Sequence, residues 1–234
     1  MDESRDMKRF AEKCYETVWD GFAKEDLNKY NEWMEEHMAD FFEIAKFFGV
    51  HSVLEGACGP GFNLKLIEDE GFMATGLDVN LNPSRRANIG NVSLIEGDLE
   101  DMRSVSNFSF DACVALGIVH SLDDAAVVSE MGRVSKKVVF IGVYGTKDPL
   151  YMVAEPVIRW CVRRVPYRIC EGLMVAAGFS KFRRWLLLDW AFMPKLKRYT
   201  EREVQELFGD NYHCFIKRYG AWINCIAVKR SCFE

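Results

Sequence analysis

The sequence has no C-x-x-C pair, although it carries eight cysteines, at 14, 58, 113, 161, 170, 214, 225 and 232. That absence argues against a zinc ribbon or a thioredoxin-type redox centre, and no resident metal is expected. Scattered through apolar stretches, these cysteines read as buried or free thiols of a reducing compartment, so a cytoplasmic location is expected. No apolar run approaches the ~18 residues that a membrane span needs. The first twenty residues are charged throughout and lack the apolar core of a secretory signal. There is no excess of positive charge over the whole chain: the formal net charge is −5, so the protein does not read as a DNA binder. Internal repeats and low-complexity linkers are also missing. Neither G-x-G-x-x-G nor the phosphate loop with its Gly-Lys-Ser/Thr occurs, which argues against a nicotinamide dehydrogenase and a phosphate-loop enzyme.

What is present suits one compact α/β domain with an elaboration: 234 residues, 49% hydrophobic and 28% charged. Two amphipathic helices come first. Phe10, Cys14, Tyr15, Val18, Trp19 and Phe22 recur at helical spacing, as do Leu27, Tyr30, Met34, Met38, Phe41, Ala45 and Phe48 before a stop at Gly49. Residues 1–49 are therefore expected to form a helical N-terminal cap. Short apolar runs then alternate with helical stretches: Ser52 to Glu55, Met73 to Asp78, Val92 to Glu96, Phe110 to Leu116 and Lys137 to Val143. Helical segments are expected at Phe62 to Glu70, briefly after Pro83, and at Asp123 to Val134. This alternation predicts a doubly wound, mostly parallel sheet. Thr200 and Glu203 form a capping-box pair that opens a helix to Phe208. His213 to Tyr219 and Trp222 to Lys229 follow as a hairpin, which adds an antiparallel strand. The core is thus expected at 50–145 and 199–234. An insertion, 146–198, separates its two parts. From Tyr144 to Tyr199 there are eleven Lys and Arg against four Asp and Glu, a basic stretch in an acidic chain.

The stretch "VLEGACGPGF", Val53 to Phe62, ends the first strand and opens the next helix. Ligands of such sheets bind outside the carboxyl ends of the strands. Gly59 and Gly61 let a ligand approach the backbone, and the helix N-terminus favours a carboxylate or phosphate. Glu55, just before the loop, suits a ligand with an ammonium or sulfonium charge better than a pyrophosphate. Asp78, at the end of the second strand, can accept both hydroxyls of a ribose.

With these residues the chain resembles the class I S-adenosylmethionine-dependent methyltransferases. "VLEGACGPG" is similar to that family's first motif, with Ala57 in place of the usual first glycine, a departure that keeps the small size. "GLDVN" resembles the second motif and "EGDLEDM" the third; "FDACVALGIVHSL" and "MGRVSKKVVFIGVYG" resemble the later strand passages. The resemblance covers Ser52 to Gly145. It implies a seven-stranded sheet whose seventh strand is antiparallel, an enzyme of the EC 2.1.1 type, and S-adenosylmethionine as cofactor with S-adenosylhomocysteine as product. The implied cofactor-binding residues are Glu55, Gly56, Ala57, Cys58, Gly59 and Gly61 in the loop, Asp78 and Val79 at the ribose, Asp98 and Leu99 at the adenine, and Leu116 and Gly117 along the methionine arm.

Methyl transfer from a sulfonium is an in-line displacement that depends on alignment and desolvation, so no catalytic triad is required. Where the acceptor carries a proton, His120, just after the fourth strand, is the expected base. Tyr15, Trp19 and Tyr30 of the cap, and Arg159 and Arg163 of a lid formed by the insertion, are candidate substrate contacts; the arginines would select an anionic small-molecule acceptor. A lipid or quinone substrate at a membrane surface, or RNA, are the alternatives for the basic insertion. A non-catalytic protein that binds or senses the same cofactor is the alternative from another functional class.

Overall fold

The computed structural model describes residues 24–82, 92–146 and 196–234, together with 157, 159–162, 164–179 and 184. The expected helix around Phe10 to Phe22 and the short helix after Pro83 lie outside the described residues. Seven strands of the described residues form one sheet: β1 (Ser52–Gly56), β2 (Met73–Asp78), β3 (Ser93–Glu96), β4 (Phe110–Leu116), β5 (Ser135–Tyr144), β6 (Tyr212–Tyr219) and β7 (Trp222–Lys229). Their order is β3-β2-β1-β4-β5-β7-β6. The first five pair in parallel. Because β7 runs antiparallel to both β5 and β6, β6 again points the way of β1 to β5, and β7 alone is reversed. The pairing partners explain the sequence patterns. β7 lies between β5 and β6 and is apolar along nearly its whole length, whereas β6, at the edge, alternates half-buried with exposed positions. Tyr219 pairs with Trp222 across a turn at Gly220, whose φ is 59°.

The helices are α1 (Lys24–Phe47), α2 (Phe62–Asp69), α3 (Asp124–Val134), α4 (Tyr167–Ala176) and α5 (Glu201–Phe208). On α1, Met34, Met38, Phe41 and Ala45 recur at helical spacing and are all buried. The Phe41 ring stacks on Phe140 of β5 at 5.2 Å. The helix stops where the sequence places its stop. Gly49 is left-handed at φ 60°, its amide donates to the Lys46 carbonyl, and the Val50 amide donates to that of Ala45. Lys137 from β5 donates to the Phe48 and Gly49 carbonyls, tying that end to the sheet. On the opposite face, α3 and α5 cover the cluster of Leu54, Leu77, Cys113, Val139, Ile141 and Ile223. Asp123 caps α3 by accepting from the Ala126 amide, and Thr200 with Glu203 closes a capping box on α5.

Met34–Gly145 with Lys197–Glu234 form one compact unit, which carries the sheet. The described residues before Met34 and between Thr146 and Leu196, α4 included, belong to a second unit. Thus α1 from Met34 onward, which the sequence groups with the N-terminal cap, packs with the sheet, because its apolar stripe is buried there. No helix of the described residues is long and apolar enough to cross a membrane.

Candidate active site

The parallel strands end together along one edge. In register, Glu55 of β1 lies beside Gly76 of β2 and Val114 of β4, and Asp78 lies beside Glu96 of β3. The order reverses between β1 and β4, so this edge is a topological switch point. The loop after β1 folds back on β2: the Cys58 amide donates to the Leu77 carbonyl and the Gly59 amide donates to Asp78 Oδ2, at 3.1 and 2.9 Å. The Gly97 amide donates to the Asp78 carbonyl, which brings the third-motif segment next to the second. Gly76 is needed beneath the loop, since a Cβ there would stand 2.7 Å from Cys58 Sγ and from a Leu64 methyl.

Three loop residues are left-handed: Ala57 at φ 55°, Gly59 at 51° and Gly61 at 81°. Small size is therefore not what the Ala57 position asks for. It asks for a backbone conformation that costs an L-residue about 1–2 kcal/mol. Ala57→Gly relieves that strain but adds unfolded-chain entropy worth roughly 0.5–1 kcal/mol. The expected net result is a gain of up to about 1.5 kcal/mol, read as a small rise in denaturation midpoint; a loss of stability would show that the loop tolerates alanine without strain.

Glu55 is buried. Its Oε1 accepts from Asn63 Nδ2 of α2 at 2.7 Å, and among the described residues Oε2 has no hydrogen-bond partner. Burial pushes its carboxyl up to about 8; the Asn63 amide opposes the shift and the nearby Asp78 charge adds to it. A buried acid with one unmatched oxygen fits a cationic ligand group, which would restore the ionised form. Asp78 is also raised by burial, held back by the amides of Asn80, Gly59 and Val79. Asp98 is half-buried and accepts from the Glu100 amide. The Leu99 side chain is buried against Gly56, where a Cβ would meet it.

A second cluster lies at the carboxyl ends of β4 and β5. His120 sits in a 3-10 turn, Val119–Ser121, and is fully buried. Its ring is 4.6 Å from Tyr144 and 6.4 Å from Trp222. Tyr144 and Trp222 are paired residues of β5 and β7, and their rings meet edge to face at 5.3 Å. Trp222 lies over Gly142 and Gly117: a Cβ on Gly142 would stand 2.7 Å from its ring, one on Gly117 3.4 Å. The Trp222 indole donates to Asn224, whose amide donates to the His37 carbonyl of α1. Arg198 donates to the Gly145 carbonyl and its guanidinium lies 5.6 Å from the Tyr144 ring. The Lys197 amide donates to the His120 carbonyl, and Lys197 and Tyr199 both bond Asp124 of α3, which fixes this strand of chain beside the turn.

Residues 54–141 match the family model of a methyltransferase domain. Those residues carry a methyltransferase domain. This methyltransferase shares its fold with magnesium protoporphyrin IX methyltransferase (ChlM) from Synechocystis PCC 6803, solved with bound SAH: TM-score 0.63, 12% identity, covering 97% of this chain and 100% of that one. It is also similar to the PH0226 protein from Pyrococcus horikoshii OT3, at TM-score 0.58 and 16% identity over 86% and 92% of the two chains. A SAM-dependent methyltransferase from Archaeoglobus fulgidus gives TM-score 0.57 and 13% identity over 85% and 94%. At such identities the likeness speaks for the fold alone. No curated protein matches the sequence.

In this methyltransferase the fold gathers Glu55, the 56–61 loop, Asp78, Val79, Asp98 and Leu99 at one end of the switch point. Leu116 ends β4, the strand beside β1, and Gly117 and His120 follow it. Tyr15, Trp19 and Arg163 lie outside the described residues. Tyr30 is buried beside Trp33, and Arg159 is half-buried; both belong to the other unit. Tyr144, Trp222, His37 and Arg198 escape motif reading. Their one signal is position: Tyr144 ends the longest apolar strand, and Trp222 stands opposite it once the hairpin is placed.

Proposed function

We propose that this methyltransferase moves the methyl group of S-adenosylmethionine to a small anionic acceptor carrying a protonated nucleophile, with His120 as proton acceptor. The observation that carries the reading is the adjacency of two unlike clusters at one sheet edge. One is acidic (Glu55, Asp78), the other aromatic and basic (His120, Tyr144, Trp222, Arg198). When bound, S-adenosylmethionine supplies an electrophilic methyl on a sulfonium. Glu55 would take the ammonium of its amino-acid end, Asp78 the ribose hydroxyls, and the Asp98 segment the adenine. Tyr144 and Trp222 would exclude water and orient a flat acceptor. Arg198, already lying on Tyr144, would hold the acceptor's negative group. His120 would accept the proton that the nucleophile gives up on methylation.

Thermal unfolding with S-adenosylmethionine, S-adenosylhomocysteine and NAD, followed by a screen of carboxylate and phenolate acceptors, tests this. Both adenosyl compounds should stabilise the protein and NAD should not. With an acceptor in hand, His120→Gln should lower kcat about a hundredfold at unchanged cofactor affinity, and Arg198→Ala should raise the acceptor KM with kcat little changed. Turnover at the native rate in His120→Gln would remove the histidine from the proton path.

A further inference from the structure

Val157, Trp160, Ile169, Leu173 and Val175 are each more than half exposed, and Phe179 more than a third. On α4, Ile169 and Leu173 share one exposed face, and Trp160 is exposed in the segment that precedes the helix. The stretch has its own internal order. On α4, Ile169 and Leu173 are one turn apart on the solvent side, while Cys170 between them is buried. The Cys170 thiol lies against the Val162 and Val165 carbonyls, so the turn preceding α4 folds back on it. The Arg164 guanidinium stacks on the Trp160 ring, 3.2 Å from its centroid. Arg164 and Arg168 are exposed beside these apolar groups.

We propose that Trp160, Arg164, Arg168, Ile169 and Leu173 form a docking surface for anionic lipid membranes. Three features favour that occupant. The exposed face of α4 is aliphatic; Ile169 and Leu173 gain from an acyl phase, whereas RNA offers them neither stacking partners nor apolar surface. Trp160 with Arg164 is the pairing suited to the headgroup level, with the ring at the acyl boundary and the guanidinium among phosphates. The surrounding segment is the basic part of a net acidic chain, with eleven Lys and Arg against four Asp and Glu from Tyr144 to Tyr199, so anionic lipid is favoured over neutral lipid. At ten residues α4 is too short to span a bilayer and would lie in the interface plane.

Flotation of the full chain with vesicles, in the absence of any methyl donor, tests this independently of the methyl-transfer reading. The chain should float with phosphatidylcholine vesicles containing about a quarter phosphatidylglycerol, less so at high salt, and only weakly with phosphatidylcholine alone. The double variant Ile169→Asp, Leu173→Asp touches exposed positions, so its unfolding midpoint and cofactor-induced stabilisation should match the native protein. Its partition onto the anionic vesicles should fall about tenfold or more. Absence of flotation with anionic vesicles overturns the proposal, as does native-like flotation of the double variant. Two findings reassign the surface: salt-sensitive tRNA binding that outcompetes the vesicles, or a dimer in sedimentation that the double variant abolishes.

Discussion

Asp78→Ala is expected to weaken binding of S-adenosylhomocysteine by a hundredfold or more. The carboxylate would accept both ribose hydroxyls, and a hydrogen bond to a charged group is worth about 1.5–3 kcal/mol. It also holds the loop by accepting from the Gly59 amide, so alanine loses the ligand contact and the loop's anchor together. Stability without cofactor should fall far less, because burial already disfavours the Asp78 charge and removing it recovers part of that penalty. Titration calorimetry separates the two quantities. Asp78→Asn keeps an oxygen for Gly59 but not the charge, and should fall between the native protein and the alanine variant. Equal affinity for native and Asp78→Ala would show that the ribose lies elsewhere.

Glu55→Gln is expected to act in opposite directions on stability and binding. The native carboxyl is pushed from 4.5 up to about 8 by burial, with the Asn63 amide opposing and Asp78 reinforcing the shift. Between those two pH values the folded protein keeps a proton that the unfolded chain releases. Stability must then fall as pH rises through that window and level off above about 8. The shift corresponds to roughly 5 kcal/mol. Glutamine never ionises, so the variant escapes this loss. Its unfolding midpoint relative to native should climb by roughly ten degrees between pH 5 and pH 9. Cofactor affinity moves the other way: without the carboxylate the ammonium loses a charge-assisted bond, and affinity should drop about ten- to a hundredfold. Parallel midpoints across the whole pH range would show that Glu55 is solvated, and with it the argument for a cationic ligand at that oxygen would go.

Much of the scaffold was legible residue by residue. β2, β4, β7 and α5 begin and end where apolar runs, caps and stops place them. β5 starts two residues earlier than its apolar run, since Ser135 and Lys136 extend a strand whose pairing partner is already in place. Ala57 shows where motif reading stops. Judged by size it is a mild change; judged by its φ of 55° it is a strained one, and side-chain volume carries no information about φ.

The proposed donor half of the site is a property of the sequence. Its strand, loop, helix and second strand run continuously from Val53 to Asp78, so short-range spacing fixes which groups converge. The proposed acceptor half is a property of the tertiary structure. His37, His120, Tyr144, Arg198 and Trp222 are far apart in the chain. They meet because β7 inserts beside β5 in a register that sets Trp222 against Tyr144. That register follows from burial of β7 on both faces and from the turn at Gly220, not from any local motif. The groups proposed to hold the methyl donor are therefore written in a contiguous segment, whereas those proposed to surround the acceptor come together only once the sheet has closed its order.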